Sequence, residues 1–467
     1  MKRTLPCVVV LLGASLLFSA EAPLRPRPLA FTHVTVVDAT GAGPQAEMTV
    51  VVSGNRITAL GKTSKVKIPK GAQVVNARGK FLIPGLWDMH VHLGMCGEAC
   101  LPTFVACGVT GVRDLGGNLD QIKTWRKQMA DGTLLGPRVK AAGPVLENPH
   151  FLQVIERLAA ALGPQGELLK REAAIRIGVG SAEDAARAIE SLKQQGVDVV
   201  KFRTVASPEV FLAIAREAKR VGLPLAGHEP MGVSLMEASD AGQSSIEHAL
   251  FSPLLPEFTA EERGELARHL LENGTWLVPT LISGRTTRLL TPEEMDAAIQ
   301  DVRGEHEPRR KYVPNGLADW WRLHRTLDQF ESPLDWRGAY AHALDELRTL
   351  NKAGVGFLAG TDFGARLVYP GFSLHDELAL LVEEVGMSPL AALQSATLNA
   401  ARFFGLQDSL GTIEKGKVAD LVLLDANPLE DIRNTQKIRA VVLNGRYLDR
   451  AALDELLAEA AATAKQN

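Results

Sequence analysis

Residues 81–92, FLIPGLWDMHVH, decide how this chain folds. The apolar run 81–87 is typical of a strand that is buried on both faces, as in a parallel sheet. The stretch ends in His90-Val91-His92, and side chains two positions apart on a strand point the same way. Two imidazoles at the end of a buried strand supply half of a metal site. An isolated pair of this kind is also compatible with two structural histidines, so the prediction depends on the rest of the chain.

The chain from 81 to 405 alternates apolar strand patterns with amphipathic helix patterns, which predicts an α/β fold with a parallel sheet. Eight strands separated by helices such as 182–195 and 207–222 match the number and alternation of elements in a (β/α)8 TIM barrel. The expected strands are 85–92, 108–115, 137–143, 197–203, 223–228, 244–248, 275–281 and 355–362.

Two stretches are longer than a minimal barrel needs. Residues 144–178 follow the third expected strand, and residues 283–350 lie between the seventh and the eighth. The second stretch is rich in Arg, Trp and charged residues, and we expect it to form extra helices over the barrel mouth. Insertions at this end of a barrel determine which substrates enter.

Short strand patterns flank the expected barrel on both sides. They cover residues 29–80 before it and residues 406–448 after it, with turn signals such as Gly-Asn between the strands. We expect these two segments to pair into one small composite β-sandwich. The last stretch, 449–467, is predicted to be a C-terminal helix with a frayed tail.

The N-terminus has the layout of a cleavable signal peptide, predicted over residues 1–22. Lys2 and Arg3 precede the apolar run 5–18, and small residues follow it. An uncleaved anchor is the alternative, although the run is too short for a comfortable membrane span. The sequence therefore predicts a mature protein that is periplasmic or secreted and is free of the membrane once the signal is removed.

The composition is that of an ordinary soluble globular protein, with 46% hydrophobic and 22% charged residues. The formal net charge is −3 and the basic residues are scattered, which argues against nucleic acid or an anionic membrane as a partner. We expect a small-molecule substrate instead. The sequence is compatible with a homo-oligomer and does not decide the oligomeric state.

The cysteines give two interpretations that the sequence leaves open. Cys96 and Cys100 follow the HxH pair and are close enough to form a disulfide in an oxidising compartment. Such a bond would brace the first loop of the site. Two buried free thiols are the equally favoured alternative.

Residues that can bind a metal recur at the ends of the expected strands, where barrel enzymes place their catalytic groups. Four of the 11 histidines in the chain are among them, which argues against chance. Each residue has a structural alternative by itself: a hydrogen-bonded core histidine, an ion-pairing lysine or a turn aspartate. The set is His90, His92, Lys201, His228, His248 and Asp362.

With these residues in place, the chain resembles the amidohydrolase superfamily. It is similar to the branch that contains imidazolonepropionase-like and prolidase-like enzymes. The resemblance covers nearly all of the predicted mature chain, and it implies a (β/α)8 barrel with a composite β-sandwich and a metal centre at the barrel mouth. The matching motifs are PGLWDMHVH (84–92), GVTGVRD (108–114), GVDVVKF (196–202), GH (227–228), AGQSSIEH (241–248), AGTDF (359–363) and LGTIEKGKVADLVLLDANPL (410–429).

Carried over by position, the resemblance implies two divalent ions, with zinc as the default for a histidine-rich site. The more buried ion would be held by His90, His92 and Asp362. His228 and His248 would hold the second ion. Lys201 would be carboxylated by CO2, and the resulting carbamate would bridge both ions. Neighbouring positive charge can lower the pKa of a lysine enough for its free amine to react in this way.

The same resemblance implies an amide hydrolase that acts on a dipeptide or an N-acyl amino acid. A hydroxide that bridges the metals would attack the carbonyl, and Asp362 would pass its proton to the leaving amine. The expected contacts to the substrate carboxylate are weaker predictions. They are Arg113, Arg203, Arg285 and, from the loop after the third strand, His150.

One departure from the family keeps other reactions open. Peptidase-like relatives often carry a Tyr two residues after the fifth-strand histidine, whereas this chain reads His228-Glu229-Pro230-Met231. Glu229 is compatible with a cyclic-amide hydrolase or deaminase that has a mononuclear centre, although such a centre does not require Lys201. Lactone or organophosphate ester hydrolysis is a further alternative, because the same hydroxide can attack those groups. A non-catalytic binding protein with a decayed site is the alternative outside the enzymes.

Overall fold

The computed structural model describes residues 27–250, 258–328 and 334–465, and the predicted signal peptide lies outside these ranges. Within them, no helix combines the length and apolarity needed to cross a bilayer. The strands are β1 Leu29–Val36, β2 Gln45–Ser53, β3 Arg56–Lys62, β4 Gln73–Asn76, β5 Phe81–Pro84, β6 Leu86–Val91, β7 Val109–Asp114, β8 Arg138–Ala141, β9 Val145–Glu147, β10 Arg176–Gly178, β11 Val200–Phe202, β12 Leu225–Gly227, β13 Gln243–Glu247, β14 Trp276–Val278, β15 Leu421–Leu424, β16 Ile438–Leu443 and β17 Arg446–Asp449.

The α-helices carry the start signals that their sequences predict. Ser207, for example, caps the helix that begins at Pro208, because its side chain accepts a hydrogen bond from the backbone N–H of Val210. The helices are α1 Leu101–Ala106, α2 Leu119–Asp131, α3 Pro149–Ala161, α4 Glu167–Ala174, α5 Ala182–Gln195, α6 Pro208–Val221, α7 Leu235–Ala241, α8 Ala260–Asn273, α9 Leu281–Gly284, α10 Pro292–Gln300, α11 Asn315–Leu327, α12 Trp336–Lys352, α13 Phe372–Glu383, α14 Pro389–Ser395, α15 Leu398–Phe403 and α16 Arg450–Ala464.

The two segments that flank the parallel part combine in one β domain. Its sheet has the order β17-β16-β15-β5-β1-β2-β3, with β4 paired to β1. The N-terminal and C-terminal segments of this domain meet where β5 pairs with β15 in antiparallel fashion, with Leu82 opposite Leu423. Apolar side chains of both segments share one core, in which Phe31 and Leu421 are buried. The structure joins all of these strands in a single hydrogen-bonded sheet.

The stretch 81–92 is two strands rather than one. Its first part, β5, belongs to the β domain, and β6 begins the parallel part of the fold. The chain changes sheet at Gly85, where a Cβ atom would lie 2.1 Å from the Thr110 hydroxyl oxygen. Only glycine fits this close approach. The structure therefore moves the start of the parallel part from residue 81 to Leu86.

The central part of the chain is α/β with parallel strands. One sheet has the order β6-β7-β8 and the other has the order β10-β9-β11-β12-β13-β14. The expected eighth strand, 355–362, forms isolated parallel bridges instead: Phe357 pairs with Leu277 of β14, and Phe363 pairs with Val91 of β6. Its extended backbone is interrupted at Asp362, which has a positive φ of 60°. This segment thus contacts the edge strands of both sheets.

The two long insertions pack on each other. The first, 144–178, contains β9, α3, α4 and β10, of which the two short strands were not expected from the sequence. The second, 283–350, forms α10, α11 and α12, as expected. Leu323 of α11 is buried in one cluster with Ile155, Ala159 and Leu169 of the first insertion. Because α11 also contacts the turn that follows His92, the insertions lie beside the predicted metal ligands.

Candidate metal centre

The predicted ligands converge at the C-terminal ends of the parallel strands. The imidazole ring centroids of His90 and His92 lie 5.3 Å apart, those of His90 and His248 lie 4.7 Å apart, and those of His228 and His248 lie 4.8 Å apart. The Asp362 Oδ1 atom lies 3.4 Å from the Nε2 atom of His90 and 3.3 Å from that of His92. Parallel strands bring their carboxyl ends to one edge, which explains why residues so distant in sequence meet.

Three of these residues can hold a cation together. Among the described residues, one ligand atom from each of His90, His92 and Asp362 lies within 4.8 Å of the other two, so that these atoms could surround a metal ion. Burial alone would raise the pKa of Asp362, but the adjacent His248 and His92 hold it far below its usual range. The aspartate is therefore ionised at neutral pH, as a metal ligand must be.

Lys201 is the most informative member of the set. Its side chain is only 2% exposed, and no described residue offers its Nζ atom a hydrogen-bond partner. Burial lowers the pKa of this amine to about 8. A buried, unpartnered ammonium is unfavourable, whereas a carbamate on the same nitrogen would be an anionic ligand for two ions. The residues present therefore fit a binuclear centre.

Three of the four histidines of the site favour the neutral form, whereas at His92 the hydrogen bond with Asp362 outweighs burial and raises the pKa. Burial lowers the pKa of His90 to about 3. Burial and the neighbouring Lys201 charge also lower the pKa of His228 well below its usual value, and burial lowers that of His248. Neutral imidazoles can bind a cation without first releasing a proton.

Glu247 orients His90 from behind. The Nδ1 atom of His90 lies 2.9 Å from the Glu247 carboxylate, which can only accept, so that the proton sits on Nδ1 and Nε2 is free for an ion. Burial by itself would raise the pKa of Glu247, but Arg113 and His90 hold it well below its usual range. Glu247 thus carries a permanent negative charge beneath the site.

Arg113 belongs to this supporting layer and not to the substrate side. Its side chain is fully buried, and its guanidinium donates to the Glu247 carboxylate at 2.8 and 2.9 Å and to the Ser245 hydroxyl at 2.9 Å. Its Nε–H donates to the carbonyl of Met89. These partners and the full burial of the side chain favour a structural role for Arg113 over the expected contact with a substrate.

The other three expected substrate contacts differ in position. Arg203 stacks on the ring of Phe151 at 4.4 Å, is 37% exposed, and lies close enough to lower the pKa of Lys201 and His228. Arg285 instead pairs with Glu384 at 2.6 Å in an outer surface cleft. His150 is exposed in the first turn of α3, and its role stays a prediction. Of these three residues, Arg203 is thus the one whose charge acts on the candidate metal ligands.

The loop after His92 is closed by a disulfide. The structure pairs Cys96 with Cys100, with a Cα–Cα distance of 6.0 Å. The same loop is held by Asp114, whose carboxylate accepts the backbone N–H of Leu93 at 2.8 Å. Both contacts fix the backbone directly after the HxH pair.

Several supporting residues were not singled out by the sequence. Thr280 contacts His248, and the Ser283 hydroxyl donates to Asp362. Neither residue has a signal in the sequence, because each is an ordinary polar residue after a short strand. Glu247 did have one, since a glutamate at the end of a strand predicted to be buried needs a buried partner.

The chain is similar to known proteins over most of its length. An ochratoxinase from Aspergillus niger is 27% identical over 91% of this chain and 88% of its own length. An imidazolonepropionase from Rubrobacter xylanophilus is 25% identical over 81% of this chain and 84% of its own length. A crystal structure from Bifidobacterium longum, provisionally described as a prolidase, superposes with a TM-score of 0.69 at 27% identity and covers 93% of this chain and 99% of its own.

The sequence profile of the Amidohydrolase family matches residues 81–448, which is most of the chain. The matched region contains all six converging residues. The chain therefore belongs to the amidohydrolase family and is a hydrolase that acts on carbon–nitrogen bonds.

Proposed function

We propose that the chain is an exported, binuclear metal-dependent hydrolase that cleaves an amide bond in a dipeptide or an N-acyl amino acid. The observation that carries this proposal is the buried Lys201 amine, which has no hydrogen-bond partner among the described residues and lies close enough to lower the pKa of His90, His228 and His248. The similarity to an ochratoxinase and to a protein described as a prolidase supports amide substrates. Export rests on the signal-like sequence 1–22.

The chain's own residues define what each part of the site would do. His90, His92 and Asp362 would hold one ion, His228 and His248 the other, and a carbamate on Lys201 would join them. When bound, two divalent ions, by default zinc, polarise a substrate carbonyl and make water acidic enough to attack it. Asp362 would accept the proton of the attacking water at a carboxylate oxygen and return it to the leaving nitrogen.

Arg203 is the residue proposed to recognise the substrate carboxylate. Its guanidinium lies 3.5 Å from Glu147 and is partly exposed, so it can add a second anionic partner. The aromatic face of Phe151 holds the guanidinium in place. This arrangement would supply a recognition point for the substrate where the family Tyr is missing.

We propose that the parallel strands close into a (β/α)8 barrel around this site. The segment 357–363 bonds to the edge strands of both sheets. At β8, the other edge of the three-stranded sheet, the carbonyl of Ala141 accepts the backbone N–H of Asp198 at 2.8 Å, which supports contact between β8 and the segment that leads into β11, the strand that contains Lys201. A closed barrel would also explain why the six residues point to a single centre.

The first test is the metal content per chain, measured by elemental analysis on protein produced with zinc and bicarbonate. About two ions per chain are expected, falling in Lys201→Ala, because the amine that would form the bridging carbamate is lost. Hydrolysis of N-acyl amino acids and dipeptides, followed by release of the free amine, then tests the substrate class. Protein with two ions that releases no amine from either class would contradict the proposed substrates.

A mononuclear deaminase or cyclic-amide hydrolase is the second candidate, and Glu229 favours it. Burial raises the pKa of this carboxyl to about 7, which suits a group that gives and takes protons. In the structure it accepts the backbone N–H of Leu250 at 2.8 Å. One ion per chain, unaffected by Lys201→Ala, together with turnover of a cyclic amide, would favour this reaction over the binuclear one.

A further inference from the structure

The turn Thr280–Ser283, which starts α9, touches the site on two sides. The Thr280 hydroxyl lies 2.7 Å from the Nδ1 atom of His248, and the Ser283 hydroxyl donates to the Oδ2 atom of Asp362 at 2.9 Å. Both side chains are almost fully buried. One short turn therefore contacts a ligand proposed for each of the two ions.

The turn itself is fixed by Glu377 of α13. The two oxygens of this carboxylate accept the backbone N–H groups of Leu281 and Ile282 at 3.1 and 2.8 Å. Glu377 is fully buried, so these bonds are shielded from water. They satisfy two of the N–H groups that the start of a helix leaves without partners.

Three residues around this turn adopt the left-handed backbone conformation that is unfavourable for non-glycine residues. The φ angles are 56° for His248, 50° for Thr280 and 60° for Asp362. Such conformations persist where the surrounding contacts hold them, and they are concentrated at functional sites. For Thr280, a β-branched residue, the conformation is especially uncommon. The backbone is thus held in place to aim these side chains.

The direction of each hydrogen bond can be assigned at Thr280. Its hydroxyl also lies 2.7 Å from the carbonyl oxygen of Pro279, which can only accept. The single hydroxyl proton therefore goes to Pro279, and the hydroxyl oxygen must accept a proton from the Nδ1 atom of His248. This places the imidazole proton on Nδ1 and leaves the Nε2 lone pair free.

We propose that Thr280 is a positioning residue that selects the metal-binding tautomer of His248, and that Glu377 holds the turn from which Thr280 and Ser283 act. Ser283 completes the arrangement by occupying Oδ2 of Asp362, so that Oδ1 faces His90 and His92. The proposal deepens the proposed function and rests on it as far as metal binding is concerned. The tautomer itself is a property of the protein without metal.

The matched variants are Thr280→Val and Thr280→Ser in the full chain. Valine keeps the shape and the backbone strain of threonine but has no hydroxyl, whereas serine keeps the hydroxyl. Thr280→Gly removes the hydroxyl and also relieves the positive φ, so it separates loss of the bond from failure to fold. Thr349→Val is the control, because this exposed threonine bonds only the Asp345 carbonyl within α12.

The first readout is the nitrogen NMR spectrum of metal-free protein labelled with 15N-histidine, with the His248 signals assigned through His248→Gln. Wild type and Thr280→Ser should show protonated Nδ1 and bare Nε2. Thr280→Val and Thr280→Gly should show a mixture of the two tautomers. The same His248 spectrum in wild type and both hydroxyl-free variants would overturn the proposal.

The second readout is zinc affinity, measured by competition with a chelator. Loss of a partner that orients a histidine ligand lowers metal affinity by about 10–100-fold, so the weaker-bound ion should be lost that much more readily in Thr280→Val and Thr280→Gly. Thr280→Ser and Thr349→Val should behave as wild type. An equal loss in Thr280→Ser would overturn the role of the hydroxyl. If wild type itself binds no metal, the proposed function fails, whereas the tautomer measurement still decides the proposal about Thr280.

Discussion

Arg113→Met tests whether the buried arginine supports the site or contacts the substrate. The substitution keeps an extended apolar chain but removes the guanidinium, which donates to Glu247, Ser245 and the Met89 carbonyl. Glu247 is then left as a buried carboxylate whose strongest counter-charge is gone. Breaking a buried ion pair by removing one partner costs about 3–5 kcal/mol.

The free energy of unfolding, measured by urea denaturation of the metal-free protein, should fall by about that amount. Metal-free protein is needed because bound ions would add their own stabilisation. The double variant Arg113→Met/Glu247→Gln should recover part of the loss, since a neutral amide no longer requires the counter-charge, and its carbonyl can still accept the His90 Nδ1 proton. The two substitutions should therefore be strongly non-additive.

If Arg113 contacted the substrate, its substitution would have different effects on KM and on the free energy of unfolding. If Arg113 bound the substrate carboxylate, Arg113→Met would raise KM for N-acyl amino acids and leave the unfolding free energy within about 0.5 kcal/mol of wild type, as surface substitutions do. That result would refute the structural role. The matched variant is Arg203→Met, for which we expect the higher KM with little loss of stability.

Three further predictions concern other parts of the chain. Asp362→Asn should retain part of the bound metal, measured by elemental analysis, but lose most of the turnover, because the amide cannot take up the proton; near wild-type activity would contradict this role. Burial raises the pKa of the Cys107 thiol, so a thiol reagent should modify it only in urea; rapid modification of native protein would show that it is accessible. Burial lowers the pKa of His375 to about 4, below the unfolded value of about 6.5, so this group should remove about 2 kcal/mol of stability as the pH falls from 7 to 5. His375→Gln should flatten that pH dependence in urea titrations, and an unchanged slope would contradict the assignment.

The convergence of the candidate metal ligands could be predicted from the sequence because they combine rare residue types with a regular position. Histidine is uncommon in the chain, and each of these residues lies at or near the end of a segment that the sequence predicts to be a strand of the parallel sheet. In this type of fold, the C-terminal ends of all parallel strands lie on the same face, where the active site is. For this reason Lys201, His228 and His248 could be assigned to one centre although no local motif connects them.

The supporting layer could not be predicted in the same way. Arg113 and Glu247 are 134 residues apart, and whether an arginine at a strand end points to the mouth or into the core depends on a partner that the sequence does not identify. Thr280 depends on Glu377, almost 100 residues later, through bonds to the backbone of the intervening turn. Almost any residue type can donate such a backbone hydrogen bond, so the sequence of the turn does not reveal it.

The sequence predicted the change of sheet at Gly85 only in part. Pro84-Gly85 interrupts the apolar run, and such a pair is a strong turn signal. However, the residues on both sides are equally apolar, because each half is buried in a different core. Periodicity alone cannot separate two consecutive buried strands.

The pairing of β5 with β15 has a consequence for how the chain is made. Residues 81–84 cannot find their partner, residues 421–424, until nearly the whole polypeptide has been synthesised. Until then β5 presents an unpaired edge, which is a site for wrong associations, and closing so long a loop is slow. If the proposed export carries the chain across a membrane unfolded, both segments come together on the far side with the full chain available. The fold is therefore completed by its last strands, and a ribosome-bound fragment that stops before residue 421 should not contain the finished β domain.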